Sequence, residues 1–445
     1  MKKQILTSLT IYTLIAIFII AVMFLTHPLG FNNYGYDYGF YSYAIQHTPL
    51  NSISYLLGQI NDYGNHLFVF INWMRLPQLP TLHFLFISFF AIAGILFYEQ
   101  IKKYGAVAVL TGVSLFTLSI AQNQTYTMFL WKAAYGQVLL LLIFLLIQRH
   151  KKYFWELIPL AVLFITHKTT TIISLLSLIP YYLFSTVKQK VIIIIGLGVA
   201  GFIFTFFLNG ENHIRQLLNS DVQNGLFLTV TDYLKYSWYL IPLASYGVYL
   251  NIKSKTNLPW LGLLTVSLIF IVFQITFYQR LLAYADLALI FFNVIAIYEL
   301  KEKTKQQTII GILIIALALF GLIQFYKNDI KPQILESEIT EIKSFSDNNQ
   351  GSFILSLSAQ DGPWLLANLG GNVRLASAGL FEDRFSKPVW QNFWANPKNE
   401  GFLDSFPQPL YLYQRSTIFY PDQQTRPWQC LKKISPHFYK YTCSK

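Results

Sequence analysis

The chain has 445 residues, 54% of them hydrophobic and only 12% charged, about half the charge fraction of an ordinary soluble domain. Mean hydropathy is +0.43 and the apolar residues come in long blocks, which excludes a purely soluble enzyme. The formal charge of +12 sits in short clusters between those blocks, a pattern of membrane topology and not of a groove that tracks phosphates, so nucleic acid is excluded as a partner.

Lys2 and Lys3 precede an apolar run from Ile5 to Leu25, long enough to cross a hydrocarbon core of roughly 30 Å. The run lacks a small-residue cleavage site and exceeds a signal-peptide core, so it reads as a retained first span. Residues 27–80 then form a long segment rich in Tyr, Asn and Pro. Further spans are predicted near 82–98, 106–121, 133–147, 155–166, 169–184, 191–208, 234–250, 258–275, 279–299 and 308–325, eleven crossings with the first. His167 and Lys168 interrupt the stretch 155–184, which fits two short helices turning at the outer surface better than one span.

With Lys2 and Lys3 inside, alternate loops should be basic. Lys102 and Lys103, Arg149 with Lys151 and Lys152, Lys188 with Lys190, Lys253 with Lys255, and Lys301, Lys303 and Lys305 all fall on that side. An odd number of crossings puts the C-terminal part outside. The outer loops, 27–80 and 209–233, carry the other polar residues, including Glu211, Arg215, Asp221 and Asp232.

The fold expected is an all-α polytopic membrane domain over 1–325 and a small extracytoplasmic α/β domain over 326–445. In the latter, Pro332–Phe345 and Trp364–Leu369 read as helices. Ser352–Ser358, Val373–Ala376 and Thr417–Tyr420 read as strands, and Trp428–Ile434 with Phe438–Cys443 as a hairpin. The only cysteines, Cys430 and Cys443, are consistent with a disulfide closing that hairpin in an oxidising compartment, or with two unrelated thiols.

Charges at a membrane are costly and therefore informative. Asp37 stands among Tyr34, Tyr36, Tyr38, Tyr41 and Tyr43, just beyond the first span. A partly desolvated carboxylate there suits general-base work on an acceptor; the plainer reading is a loop aspartate among tyrosines that anchor at the interface. Asp62 and His66 flank Gly64, as an acceptor-orienting pair or as turn residues. Lys132, Lys168 beside His167, and Arg280 lie at outer helix ends. They either converge on a phosphate or snorkel separately to headgroups. Asp286, about 9 Å deeper than Arg280 at the helical rise, reads as a packing or hydrogen-bonding residue. Asn123-Gln124-Thr125 matches a glycosylation sequon and carries little weight. No His, Cys, Asp or Glu spacing suits a transition metal, so no cofactor is expected, and a divalent metal stays open without support from the sequence.

Taken together, Asp37-Tyr-Gly-Phe-Tyr-Ser-Tyr-Ala-Ile, the loop exit Leu67–Leu79 with Arg75-Leu76-Pro77, the basic turn Tyr98–Gly105 and the segment Thr125–Tyr135 around Lys132 resemble the GT-C superfamily of integral-membrane glycosyltransferases. That superfamily includes the protein mannosyltransferases, the lipid A aminoarabinose transferases and the arabinofuranosyltransferases. The resemblance covers the organisation of residues 1–325 and the outer soluble domain. It implies a bacterial plasma-membrane enzyme of cell-envelope glycan synthesis, with a cytoplasmic N-terminus and a periplasmic C-terminal domain. The implied reaction is inverting transfer from a polyprenyl-phosphate sugar to a protein, glycan or lipid A acceptor. Asp37 would match the base, and Lys132, Lys168 and Arg280 the donor-phosphate contacts. Asp62, His66, His167 and Tyr41 would serve the acceptor or sugar. The family's acidic pair is missing, since Tyr38 follows Asp37. Two alternatives use the same lipid-linked sugars: an O-antigen polymerase or ligase, whose large polar segment lies between late spans, and a flippase, which would show inverted repeats.

Overall fold

The computed structural model describes residues 2–26, 78–128, 130–149, 154–183, 227–252, 254–275, 278–300, 304–329, 334–356, 361–369, 373–377, 389, 400–415 and 430–443. The expectations placed on Asp37, Tyr41, Asp62 and His66, on the span 191–208 and on the strand Thr417–Tyr420 lie outside them. The described residues divide into two compact units, one running to 329 and one from 334 onward.

The first unit is helical: α1 (Lys2–Thr26), α2 (Gln78–Ile101), α3 (Ala106–Leu118), α4 (Ile120–Thr127), α5 (Trp131–Gln148), α6 (Phe154–Thr166) and α7 (Lys168–Leu183). After the undescribed stretch come α8 (Val230–Ser237), α9 (Leu240–Asn251), α10 (Leu258–Val272), α11 (Leu282–Glu299) and α12 (Thr304–Asn328). Among the described residues six stretches are long and apolar enough to cross a membrane: Phe84–Tyr104, Ala106–Thr125, Trp131–Gln148, Lys255–Val272, Tyr278–Glu299 and Lys305–Asn328. Thr7–Met23 and Thr169–Leu183 are shorter apolar helices. Helices suit this composition because in hydrocarbon every backbone polar group must be satisfied within its own segment. The stretch 154–183 breaks at His167 into α6 and α7, as the interrupting polar pair implies.

An aromatic knot forms the centre. Trp260 of α10 stacks on Phe291 of α11 with centroids 4.3 Å apart, and Phe97 and Phe144 meet it edge-on at 5.9 and 5.2 Å, geometries that ring quadrupoles favour. The indole N–H finds a partner in Gln100 Oε1 at 3.1 Å, and Gln100 in turn donates to the Leu141 carbonyl at 3.0 Å. From Leu282 to Ile297 every residue of α11 except Leu289 is buried, whereas α12 exposes Ile309, Ile312, Leu313 and Phe320. At the lysine-rich end, Glu99 accepts from Tyr12 at 2.7 Å, from Lys102 at 2.8 Å and from Arg149. Part of the basic cluster therefore also ties α1, α2 and α5 together.

The second unit carries α13 (Glu336–Asn348), β1 (Phe353–Ser356), α14 (Gly362–Asn368), β2 (Arg374–Ser377), β3 (Leu410–Tyr413), β4 (Leu431–Lys433) and β5 (Phe438–Tyr441). The sheet order is β2-β1-β3-β5-β4. β1 runs parallel to β2 and β3, and β5 is antiparallel to β3 and β4. Cys430 and Cys443 form a disulfide across the β4–β5 hairpin, with a Cα–Cα distance of 5.1 Å. The sequence reading omits β3, the strand next to β1. Its run Leu-Tyr-Leu-Tyr is buried at every position, so no alternation marks it. Arg415, just beyond β3, closes on both oxygens of Glu338 at 2.9 and 2.8 Å and on Asp361 at 3.3 Å, clamping α13 to the loop after β1.

Candidate functional site

Helices α5, α7 and α11 all begin at the end of the first unit opposite Glu99. A Cβ at Gly136 would come within 2.8 Å of Thr170 Oγ1, so α5 and α7 touch about one turn in from their starts. The Thr170 hydroxyl is also hydrogen-bonded to the Tyr284 hydroxyl, which fastens α7 to α11. Lys132 lies one turn before Gly136, Arg280 one turn before Tyr284, and His167 directly before α7.

His167 therefore lies within electrostatic reach of both Lys132 and Arg280. His167 sits in the joint between α6 and α7, outside both helices. Burial of its ring, with the charges of Arg280 and Lys132 acting in the same direction, pushes its pKa down to about 3. The imidazole is neutral at pH 7. Its Nδ1 lies 2.5 Å from Thr170 Oγ1. Lys168 opens α7 at the same place, while its side chain, like Asp37, Tyr41, Asp62 and His66, lies outside the described residues.

Asp286 has the hydrogen-bonding role expected of it. It is fully buried and accepts from Ser119 Oγ at 2.6 Å, Tyr233 OH at 2.9 Å and Gln122 Nε2 at 3.3 Å. Three donors satisfy a carboxylate that would otherwise be prohibitive to bury. Ser119 stands at the α3–α4 break and also accepts from the Gln122 backbone N–H at 3.1 Å, so the carboxylate anchors that break against α8 and α11. Asn123 of the sequon is buried, with its amide donating to the Thr117 and Ser119 carbonyls and accepting from Tyr326. It is a packing residue.

Thr170, Tyr284, Ser119, Gln122 and Tyr233 were not visible as functional in the sequence, because hydroxyls and amides inside apolar helices read as core. The one available signal was the offset of three between His167 and Thr170 across a helix start, the spacing of a capping interaction. Among the described residues no group of three or more His, Cys, Asp and Glu side chains is placed to hold a metal ion. Comparison of the sequence with protein-family models and with curated proteins finds no match.

Proposed function

We propose that the chain is an integral-membrane glycosyltransferase that moves a sugar from a polyprenyl-phosphate donor to a protein, glycan or lipid acceptor, with inversion, at the outer face of a bacterial plasma membrane. The observation that carries this reading is that the charges of Lys132 and Arg280 both act on the neutral ring of His167, where three apolar helices begin. On this reading the chain crosses the membrane eleven times, with the N-terminus cytoplasmic and the second unit outside.

As the sugar departs, the lipid phosphate gains negative charge. Cations fixed in place beforehand stabilise that charge more in the transition state than in the ground state. The N-terminal ends of α5, α7 and α11 add their positive dipole ends. Lys168 would supply a further cation. Asp37 would take the acceptor proton on the opposite face of the anomeric carbon, and Asp62, His66 and Tyr41 would hold the sugar or acceptor.

The test is a transfer assay with the purified chain in nanodiscs, radiolabelled undecaprenyl-phosphate sugars and a cell-envelope acceptor fraction. Asp37→Asn should lower turnover by roughly 10²–10⁴-fold, as expected for loss of a general base, while donor binding persists. Near-normal turnover in that variant rejects the assignment. Arg280→Ala should raise the KM for donor more than that for acceptor. Label that crosses the bilayer without joining an acceptor would mark a flippase instead.

A further inference from the structure

His167 Nδ1 lies 2.5 Å from Thr170 Oγ1 and also faces the Thr170 backbone N–H, with N···N 3.4 Å. A ring nitrogen that accepts a backbone N–H cannot itself carry a hydrogen, so Nδ1 is bare and the proton of the neutral ring resides on Nε2. The Thr170 hydroxyl then spends its hydrogen on Nδ1, and the Tyr284 hydroxyl, bonded to the same Oγ1, must be the donor in that pair. The chain Tyr284→Thr170→His167 has one direction only. It crosses α11, α7 and the joint before α7, and it leaves the Nε2–H as the outward donor of the ring.

We propose that His167, held as the Nε2–H tautomer by Thr170 and Tyr284, is a hydrogen-bond donor to a phosphate group bound between Lys132 and Arg280. The proposal deepens the donor-phosphate reading above and rests on it for the lipid attached to that phosphate. It moves His167 from the sugar or acceptor to the anion. A neutral donor there adds a directed contact without adding a further full charge, and Thr170 and Tyr284 are positioning residues that act through the ring.

The distinguishing experiment compares two isosteres in the purified full chain. The amide nitrogen of Gln reaches the place of Nε2, whereas that of Asn reaches only the place of Nδ1. Binding of radiolabelled undecaprenyl phosphate should stay within about threefold of wild type in His167→Gln and weaken about tenfold or more in His167→Asn, the scale of one hydrogen bond to a charged group. Tyr284→Phe and Thr170→Val should weaken binding by a smaller factor, and in Thr170→Val, where the backbone N–H alone still faces Nδ1, the ¹⁵N shifts of His167 should show a weaker preference for the Nε2–H form. Should His167→Asn fail to fold, Thr170→Val carries the comparison, because it removes the hydroxyl that donates to Nδ1 and leaves only the backbone N–H to hold the tautomer.

Equal binding by the Gln and Asn variants overturns the proposal, as does equal binding of undecaprenol, which lacks the phosphate. Competition by inorganic phosphate would identify a site for the free anion, and its failure beside tight lipid-phosphate binding a site for the lipid headgroup. Binding that follows this pattern without sugar transfer leaves the anion site standing and removes the glycosyltransferase. Transfer indifferent to the two isosteres does the reverse.

Discussion

Asp361 is almost fully buried in the loop after β1, with Arg415 Nη1 at 3.3 Å. Burial outweighs the guanidinium and pushes its carboxyl up from 3.8 to about 6. Between those values the folded unit holds a proton that the unfolded chain has released. The stability contributed by the protonated group is therefore complete below the unfolded pKa and lost as pH rises through about 6. Asp361→Asn removes that dependence. Protease resistance of the second unit in the full chain should fall less from about pH 4 to about pH 7 in the variant than in wild type, and identical slopes would refute the assignment. How much of a residue's role was legible depended on the cost of its setting. His167, Lys132 and Arg280 could be picked out because polar groups at apolar helix ends are expensive, and Asp286 because a carboxylate inside a span needs donors. Which donors it found, Ser119, Gln122 and Tyr233, was not legible, since nothing local marks partners more than fifty positions away.

At Gly247 of α9 an added Cβ would come within 2.0 Å of the Phe292 carbonyl oxygen, so α9 and α11 touch backbone to backbone. At Gly262 of α10 it would meet the Ser177 carbonyl of α7 at the same distance. Small residues permit such approaches between membrane helices. Gly247→Ala should force α9 off α11 and cost about 1–3 kcal/mol, as overpacking does. A lowered thermal midpoint in detergent checks this against Ser245→Ala, an exposed position on the same helix; equal midpoints would exclude the close contact. Apolar runs and interrupting polar pairs revealed most helices, down to the break at His167, because hydrocarbon leaves a continuous apolar segment few other forms. β3 escaped because a strand buried on both faces carries no period of two.

Across the first unit the two ends differ in chemistry. One holds Glu99, Lys102 and Arg149, and the other His167, Lys132 and Arg280. If the proposed orientation holds, an impermeant thiol reagent applied to intact cells should label Gln274→Cys, beyond the end of α10, and spare Lys255→Cys, before its start. The reverse pattern would put the anion site on the cytoplasmic side. The sequence by itself determined that this is a membrane chain followed by a small α/β unit, and where most helices begin and end. Those are local properties, written in runs of apolar residues and in the lysines between them. Only the tertiary structure decided that Lys132 and Arg280 come within electrostatic reach of His167, and that Thr170 and Tyr284 form a hydroxyl chain to its ring. These residues come from α5, α7 and α11 and from the turns that precede α7 and α11, and what brings them together is the packing of Gly136 on Thr170 and the hydroxyl pair of Thr170 and Tyr284, contacts that no stretch of sequence contains.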